Sequence, residues 1–230
     1  MAQDNDKRLA AEAAVAEIAD GMRVGIGTGS TVAHLILALG RRWERDFPHC
    51  AFFATSKASR HAMLEVGMRV ENMAFFDSLD LAIDGADELD RRFLAIKGGG
   101  GAMLREKVVA SAAARFVVIA DGSKQVDALG SAAVPVETLP FARSLVTARL
   151  AELGATVSLR GGEDQPFRTD NGNAVLDCRF ADLSDPRALA EGIARIPGAL
   201  GHGLFLDEVD AAYVATDGIV TRLERGHTKG

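Results

Sequence analysis

The chain has 230 residues and a formal net charge of −6, with 48% hydrophobic and 25% charged residues. That size and balance support a sizeable buried core and exclude a disordered chain. The acidic balance lacks the basic stripe of a nucleic-acid partner, and no apolar run reaches the length of a membrane span.

In chain order, Lys7 to Ile18 reads as an alanine-rich amphipathic helix, stopped by Asp20 and Gly21. Arg23 to Ile26 predicts a short strand, a glycine turn follows, and Thr31 to Leu39 predicts a helix. Ala51 to Ala54 is a second strand, and Ser56 to Val66 a helix. Leu81 to Ile83 is a buried strand ending in an acidic turn, Ala102 to Ala114 a helix, and Phe116 to Ala120 another buried strand. Strands alternating with helices predict an α/β class, with a parallel sheet covered on both faces. The rhythm changes after Gly130. Pro135 and Pro140 bracket VETL, Phe141 to Leu153 and Pro186 to Ile196 are helical, and Thr156 to Leu159 and Ala174 to Asp177 read as strands. This stretch reads as a small α+β unit. Ala211 to Ala215 and Ile219 to Leu223 are expected to return as strands to the first sheet. The expected domains are 1–129 with 206–230, and 130–205.

Two cysteines, Cys50 and Cys178, form neither a Cys-x-x-Cys nor a disulfide framework. The N-terminal stretch MAQDNDKRLAAEAAVAEIAD lacks the apolar core of a signal peptide. The expected compartment is the cytoplasm.

Four turns have residues suited to chemistry. Gly25-Ile26-Gly27-Thr28-Gly29-Ser30-Thr31 lies between a strand and a helix. Glycines let the backbone approach a ligand, and a helix N-terminus suits a phosphate; a plain glycine turn is the alternative. The dinucleotide fingerprint fails, because its last glycine would fall on Ser30, and no Gly-Lys-Ser/Thr makes a Walker loop. Thr55-Ser56-Lys57-Ala58-Ser59 offers hydroxyls to a sugar, or a helix cap. Asp84-Gly85-Ala86-Asp87-Glu88 follows a buried strand, where ligands of open α/β sheets bind; its acids either move protons, bind a cation or close an Asx-turn in solvent. Lys97-Gly98-Gly99-Gly100-Gly101 precedes a helix. Bare amides there can hold a developing oxyanion, and a flexible loop is the alternative. Glu106, one turn into that helix, either faces the same space or pairs on the surface at helical spacing.

Together these turns resemble the type A ribose-5-phosphate isomerase family: GIGTGST at 25–31, TSKAS at 55–59, DGADELD at 84–90 and KGGGGAMLREK at 97–107. The likeness continues through DGSK at 121–124, VPVETLP at 134–140, TDNGN at 169–173 and IPGALGHGLF at 196–205. Gly201, His202 and the stretch Gly161 to Phe167 depart from the pattern and are expected to lie away from the site.

The resemblance implies a Rossmann-like α/β domain with a smaller α+β domain beside it. It also implies a homodimer or a dimer of dimers (a homotetramer), and aldose–ketose isomerisation in the non-oxidative pentose phosphate pathway with neither cofactor nor metal required. It makes Glu106 the base and Asp84, Asp87 and Lys97 its catalytic neighbours. Thr28, Gly29, Ser30, Thr31, Gly85, Ala86, Gly98, Gly99, Gly100 and Lys124 are the expected substrate contacts beside those acids and that lysine. A catalytically silent sugar-phosphate sensor is the competing reading, although the stretch before the first strand is too short for a helix-turn-helix module. The KGGGGA-REK turn argues against a sugar-phosphate deaminase or a coenzyme A transferase.

Overall fold

The computed structural model describes residues 2–226. Positions 1 and 227–230 of the expected larger domain lie outside the described residues.

The chain order is α1 (Ala2–Ala14), β1 (Arg23–Ile26), α2 (Ser30–Gly40), α3 (Trp43–Asp46), β2 (Ala51–Ala54), α4 (Lys57–Glu65), β3 (Leu81–Gly85), β4 (Glu88–Asp90), β5 (Ala95–Ile96), α5 (Met103–Ala112), β6 (Phe116–Asp121), β7 (Gln125–Val126), β8 (Val134–Thr138), α6 (Arg143–Glu152), β9 (Ala155–Leu159), β10 (Ala174–Phe180), α7 (Pro186–Ala194), β11 (Ala199–His202), β12 (Leu204–Phe205), β13 (Ala211–Thr216) and β14 (Ile219–Glu224).

The main sheet has the order β14-β13-β6-β3-β1-β2. All its pairs are parallel except the β13–β14 hairpin. Side chains alternate across each strand, and the alternation divides the core. Val24, Ile26, Ile83, Val117 and Ile119 pack under α1 and α2. Ala82, Phe116, Val118, Ala212 and Val214 pack on the opposite face against Val109 and Ala110 of α5. Burial on both faces explains why these strands read as unbroken apolar runs. The hairpin turns through Asp217 and Gly218, both at positive φ, which matches the strand twist.

The change of rhythm after Gly130 corresponds to an antiparallel sheet, β11-β8-β10-β9. Val146 and Leu150 of α6 and Ile193 of α7 close over its Val134, Val136 and Leu176. A third sheet, β12-β5-β4-β7, links the two. Its strands span two or three residues each, too short for a period of two to register in sequence. Helix α1 starts at Ala2, ahead of the expected Lys7. Asp6 accepts the N–H groups of Asp217 (3.2 Å) and Gly218 (2.8 Å), so tertiary contact extends it beyond its amphipathic stretch.

Candidate active site

Sheet order reverses between β1 and β3, and their carboxyl ends form the crevice where open α/β sheets bind ligands. Three buried ionisable side chains meet there. Asp84, the fourth residue of β3, is 2% exposed, Lys97 2% and Glu106 3%. Asp84 Oδ1 accepts the N–H of Thr28 (3.0 Å) and of Gly85 (2.7 Å). Its Oδ2 lies 2.8 Å from Lys97 Nζ. Lys97 Nζ also donates to the Gly85 carbonyl and rests over the Phe205 ring, 5.3 Å from its centroid. Glu106, in the first turn of α5, brings Oε2 to 3.1 Å from Lys97 Nζ. The approach is too oblique for a hydrogen bond, and Oε2 has no other partner among the described residues. The surface-pairing alternative for Glu106 therefore does not hold.

The packing explains the glycine at 27. A Cβ there would lie 1.9 Å from Asp84 Oδ1. Gly27→Ala must displace the carboxylate that holds both Thr28 and Lys97. Overpacking of this kind costs about 1–3 kcal/mol, and we expect a lower melting temperature together with at least a tenfold fall in kcat, read by thermal denaturation and steady-state kinetics.

One lysine serves two buried carboxylates. Burial lifts the Glu106 pKa to about 8, nearby Asp84 adds to the rise, and Lys97 only partly offsets it. Burial also pushes the Asp84 carboxyl up, against Lys97 and the two amides. Burial alone would depress the Lys97 ammonium, but the two carboxylates more than reverse that and keep it charged. A carboxyl that acts as a base must be deprotonated, so a reaction that uses Glu106 in this way should show kcat/KM falling below about pH 8, approaching tenfold per pH unit. A flat pH–rate profile between pH 6 and 8 would contradict this.

The cleft beside this trio, of about 130 Å³, is lined by Thr28 to Thr31, Gly85 to Asp87, Lys97 to Gly100, Glu106 and Lys124, and also by Lys7. Asp84 lies behind Lys97 and does not form its wall. Asp87 Oδ2 accepts the Gly99 N–H at 2.8 Å, while Oδ1 has no hydrogen-bond partner among the described residues. The Gly98 and Gly100 amides likewise lack a protein partner among the described residues. At the other end, Gly29 (φ 125°) opens α2 with no side-chain cap. Lys7 Nζ reaches Ser30 Oγ at 3.0 Å, which gives this end two lysines, two hydroxyls and a helix N-terminus. Lys7 escaped the sequence reading because nothing in its helix signals that it packs beside α2, next to residue 30. A larger hollow of about 580 Å³ between α4 and α5 is lined by Ala54, Val70, Met73 and Val108, among others. None of the trio opens into it.

The other motifs support the site from behind. Ser56 caps α4 by accepting the Ser59 N–H at 3.0 Å. The hydroxyls of Thr55 and Ser56 lie 2.8 Å from Thr28 Oγ1. Glu88 is no solvated turn acid: it is buried and accepts the N–H groups of Gly130 and Ala132. In the TDNGN turn, Thr169, Asn171 and Asn173 donate side-chain hydrogen bonds to the buried Glu137. One expectation needs correction. The stretch Gly161 to Phe167 does reach the site loop, because the Phe167 ring occupies the position a Cβ at Gly101 would take. Gly201 sits against Leu104 of α5 for the same steric reason.

Residues 51–218 match the family model described as ribose 5-phosphate isomerase A (phosphoriboisomerase A). The chain is 46% identical over 221 residues to ribose-5-phosphate isomerase A of Sphingopyxis alaskensis, covering 96% of each. It is 45% identical to that of Methanosarcina acetivorans, covering 96% of this chain and 94% of the relative. A crystal structure of ribose 5 phosphate isomerase A from Neisseria gonorrhoeae superposes with a TM-score of 0.91 at 37% identity and 98% coverage of both chains. A D-ribose-5-phosphate isomerase in complex with phospho-erythronic acid superposes at 0.93, with 34% identity over 98% of this chain and all of the other. With its fold and nearly its whole length in common with these proteins, the chain belongs to the ribose 5-phosphate isomerase A family.

Proposed function

We propose that this cleft interconverts D-ribose 5-phosphate and D-ribulose 5-phosphate through a cis-enediolate, in the non-oxidative pentose phosphate pathway, with Glu106 as the base. The observation that carries the reading is the buried Glu106 carboxylate, which faces Lys97 and lines one cleft with the Gly98 and Gly100 amides that lack a partner among the described residues. Ser30, Thr31, Lys7, Lys124 and the N-terminus of α2 anchor the phosphate. Asp87, with Oδ1 open to the cleft, takes the C1 hydroxyl proton as the bond from C1 to the ring oxygen breaks and returns it to that oxygen, which becomes the C4 hydroxyl, and Asp84 keeps Lys97 in place.

Glu106 then removes the proton from C2. The C–H electrons form the C1–C2 double bond, and the C1 carbonyl becomes an oxyanion held by Lys97 and the Gly98 and Gly100 amides. The C2 hydroxyl proton passes to the C1 oxygen, Glu106 returns its proton to C1, and C2 becomes the ketone. One carboxylate serves both transfers because C1 and C2 are neighbours on one face.

The test is ribulose 5-phosphate formation from ribose 5-phosphate by the purified protein in excess chelator. Product formation is expected. Tight binding of ribose 5-phosphate without product would favour the sensor reading.

We further propose a homodimer in the cytoplasm. Leu139, Phe141, Leu145 and Leu200 leave exposed apolar side chains around the junction where Leu139 N–H meets the Gly198 carbonyl. Light scattering at twice the chain mass is expected. Cys50 and Cys178 are free thiols, as a reducing compartment keeps them. The unit 130–205 acts in this reading as a support for the glycine loop.

A further inference from the structure

The glycine loop has no side chain of its own to fix it, and four consecutive glycines carry a large entropy of disorder. An oxyanion site works only when its donors already point the right way. Arg160, at the end of β9 and 61 residues from Gly99, reaches the back of this loop. Its Nη1 donates to the carbonyls of Gly98 and Gly99, at 3.0 Å each. The guanidinium is itself fixed by Asp177 of β10, through Nε to Oδ2 at 2.9 Å and Nη2 to Oδ1. It also lies over the Phe167 ring, 5.7 Å from the centroid, and that ring packs on Gly101. Gly161, at φ 80°, makes the turn that returns Phe167 to this place. The Phe167 N–H donates to the Arg160 carbonyl at 2.8 Å.

A planar trans peptide directs its C=O and its N–H to opposite sides. Holding the Gly98 carbonyl therefore orients the Gly99 N–H, which Asp87 accepts. Holding the Gly99 carbonyl orients the Gly100 N–H, which has no protein partner among the described residues and borders the cleft. A cation bonded to a carbonyl also polarises the amide behind it, strengthening that N–H as a donor.

We infer that Arg160, braced by Asp177 and Phe167, is the positioning residue that preorganises and polarises the Gly100 amide toward the enediolate oxygen. The inference rests on the isomerase reading above. It differs from a role in stability alone, because it acts on the charged intermediate and spares the ground state.

The test uses Arg160→Gln, Arg160→Lys and Asp177→Asn in the full chain. The measurements are kcat, KM, and the affinities of two probes: phospho-erythronic acid, whose carboxylate imitates the enediolate, and ribitol 5-phosphate, which has no such charge. Arg160→Gln is expected to lower kcat about tenfold or more, below the ~10²–10³-fold cost of deleting an oxyanion donor outright. Phospho-erythronic acid should weaken by a similar factor, while KM and ribitol 5-phosphate affinity stay within about twofold. Arg160→Lys should rescue little, since an ammonium cannot replace the planar fork, and Asp177→Asn should fall between. Unchanged phospho-erythronic acid affinity in well-folded Arg160 variants overturns the inference alone. Wild type binding that acid no better than ribitol 5-phosphate overturns the oxyanion reading beneath it.

Discussion

Glu106→Gln is expected to lower kcat about 10²- to 10⁴-fold, the range that general base action typically supplies, and to leave KM for ribose 5-phosphate near wild type. The substitution preserves size and a polar oxygen facing Lys97 while deleting the one group able to take a proton from C2. Its stability should behave differently from its activity. The folded-state pKa of Glu106, about 8, is raised above its ordinary value of 4.5. The unfolded chain thus releases that proton first, and wild-type stability declines as pH rises from about 4.5 to about 8. Glutamine carries no such proton, so the variant should gain stability relative to wild type across that window. Urea melts at pH 5 and pH 8, beside steady-state kinetics, check both halves. Wild-type turnover in the variant would remove Glu106 from the mechanism.

Lys97→Met should be the most damaging change to the fold and the site together. The lysine is 2% exposed and sits between Asp84 and Glu106, at 2.8 and 3.1 Å. Without it, two buried carboxyls face each other with no cation. Removing one partner of a buried ion pair costs about 3–5 kcal/mol, a large part of a typical domain stability of about 5–15 kcal/mol. The loss should shrink at pH 5, where both carboxyls can take up protons, and be largest at pH 8. Turnover should fall at least about 10²-fold, as when an oxyanion donor is lost. A denaturation midpoint equal to wild type at pH 8 would show that the trio does not bear on stability.

The main elements were legible because each carries its own local signal. Arg23–Ile26 and Ala51–Ala54 are apolar runs closed by turns, and their observed bounds match the expected ones. The residues that line the cleft were also largely legible, because all four turns lie at strand ends and three of them bring Thr28, Asp87 and Gly98 to one crevice. Glu106 was harder, since an acid at that helical position, taken alone, reads more readily as a surface partner, and only the family resemblance made it the base. Lys7 and Arg160 were not legible at all. Each reaches the cleft or its loop from a distant element, by contacts that no periodicity encodes. Glu88 fits none of the three readings its acidic turn allows: a two-residue strand pairing buries it against the amides of Gly130 and Ala132.

The most direct measurement of the central claim is deuterium exchange followed by NMR, with ribose 5-phosphate and each protein in D₂O with excess chelator. Wild type is expected to place solvent deuterium on C1 of ribulose 5-phosphate as it turns over. Glu106→Gln should neither exchange nor convert, while still binding ribose 5-phosphate by calorimetry. Exchange by Glu106→Gln at the wild-type rate would contradict the account, because another group would then be moving the C2 proton.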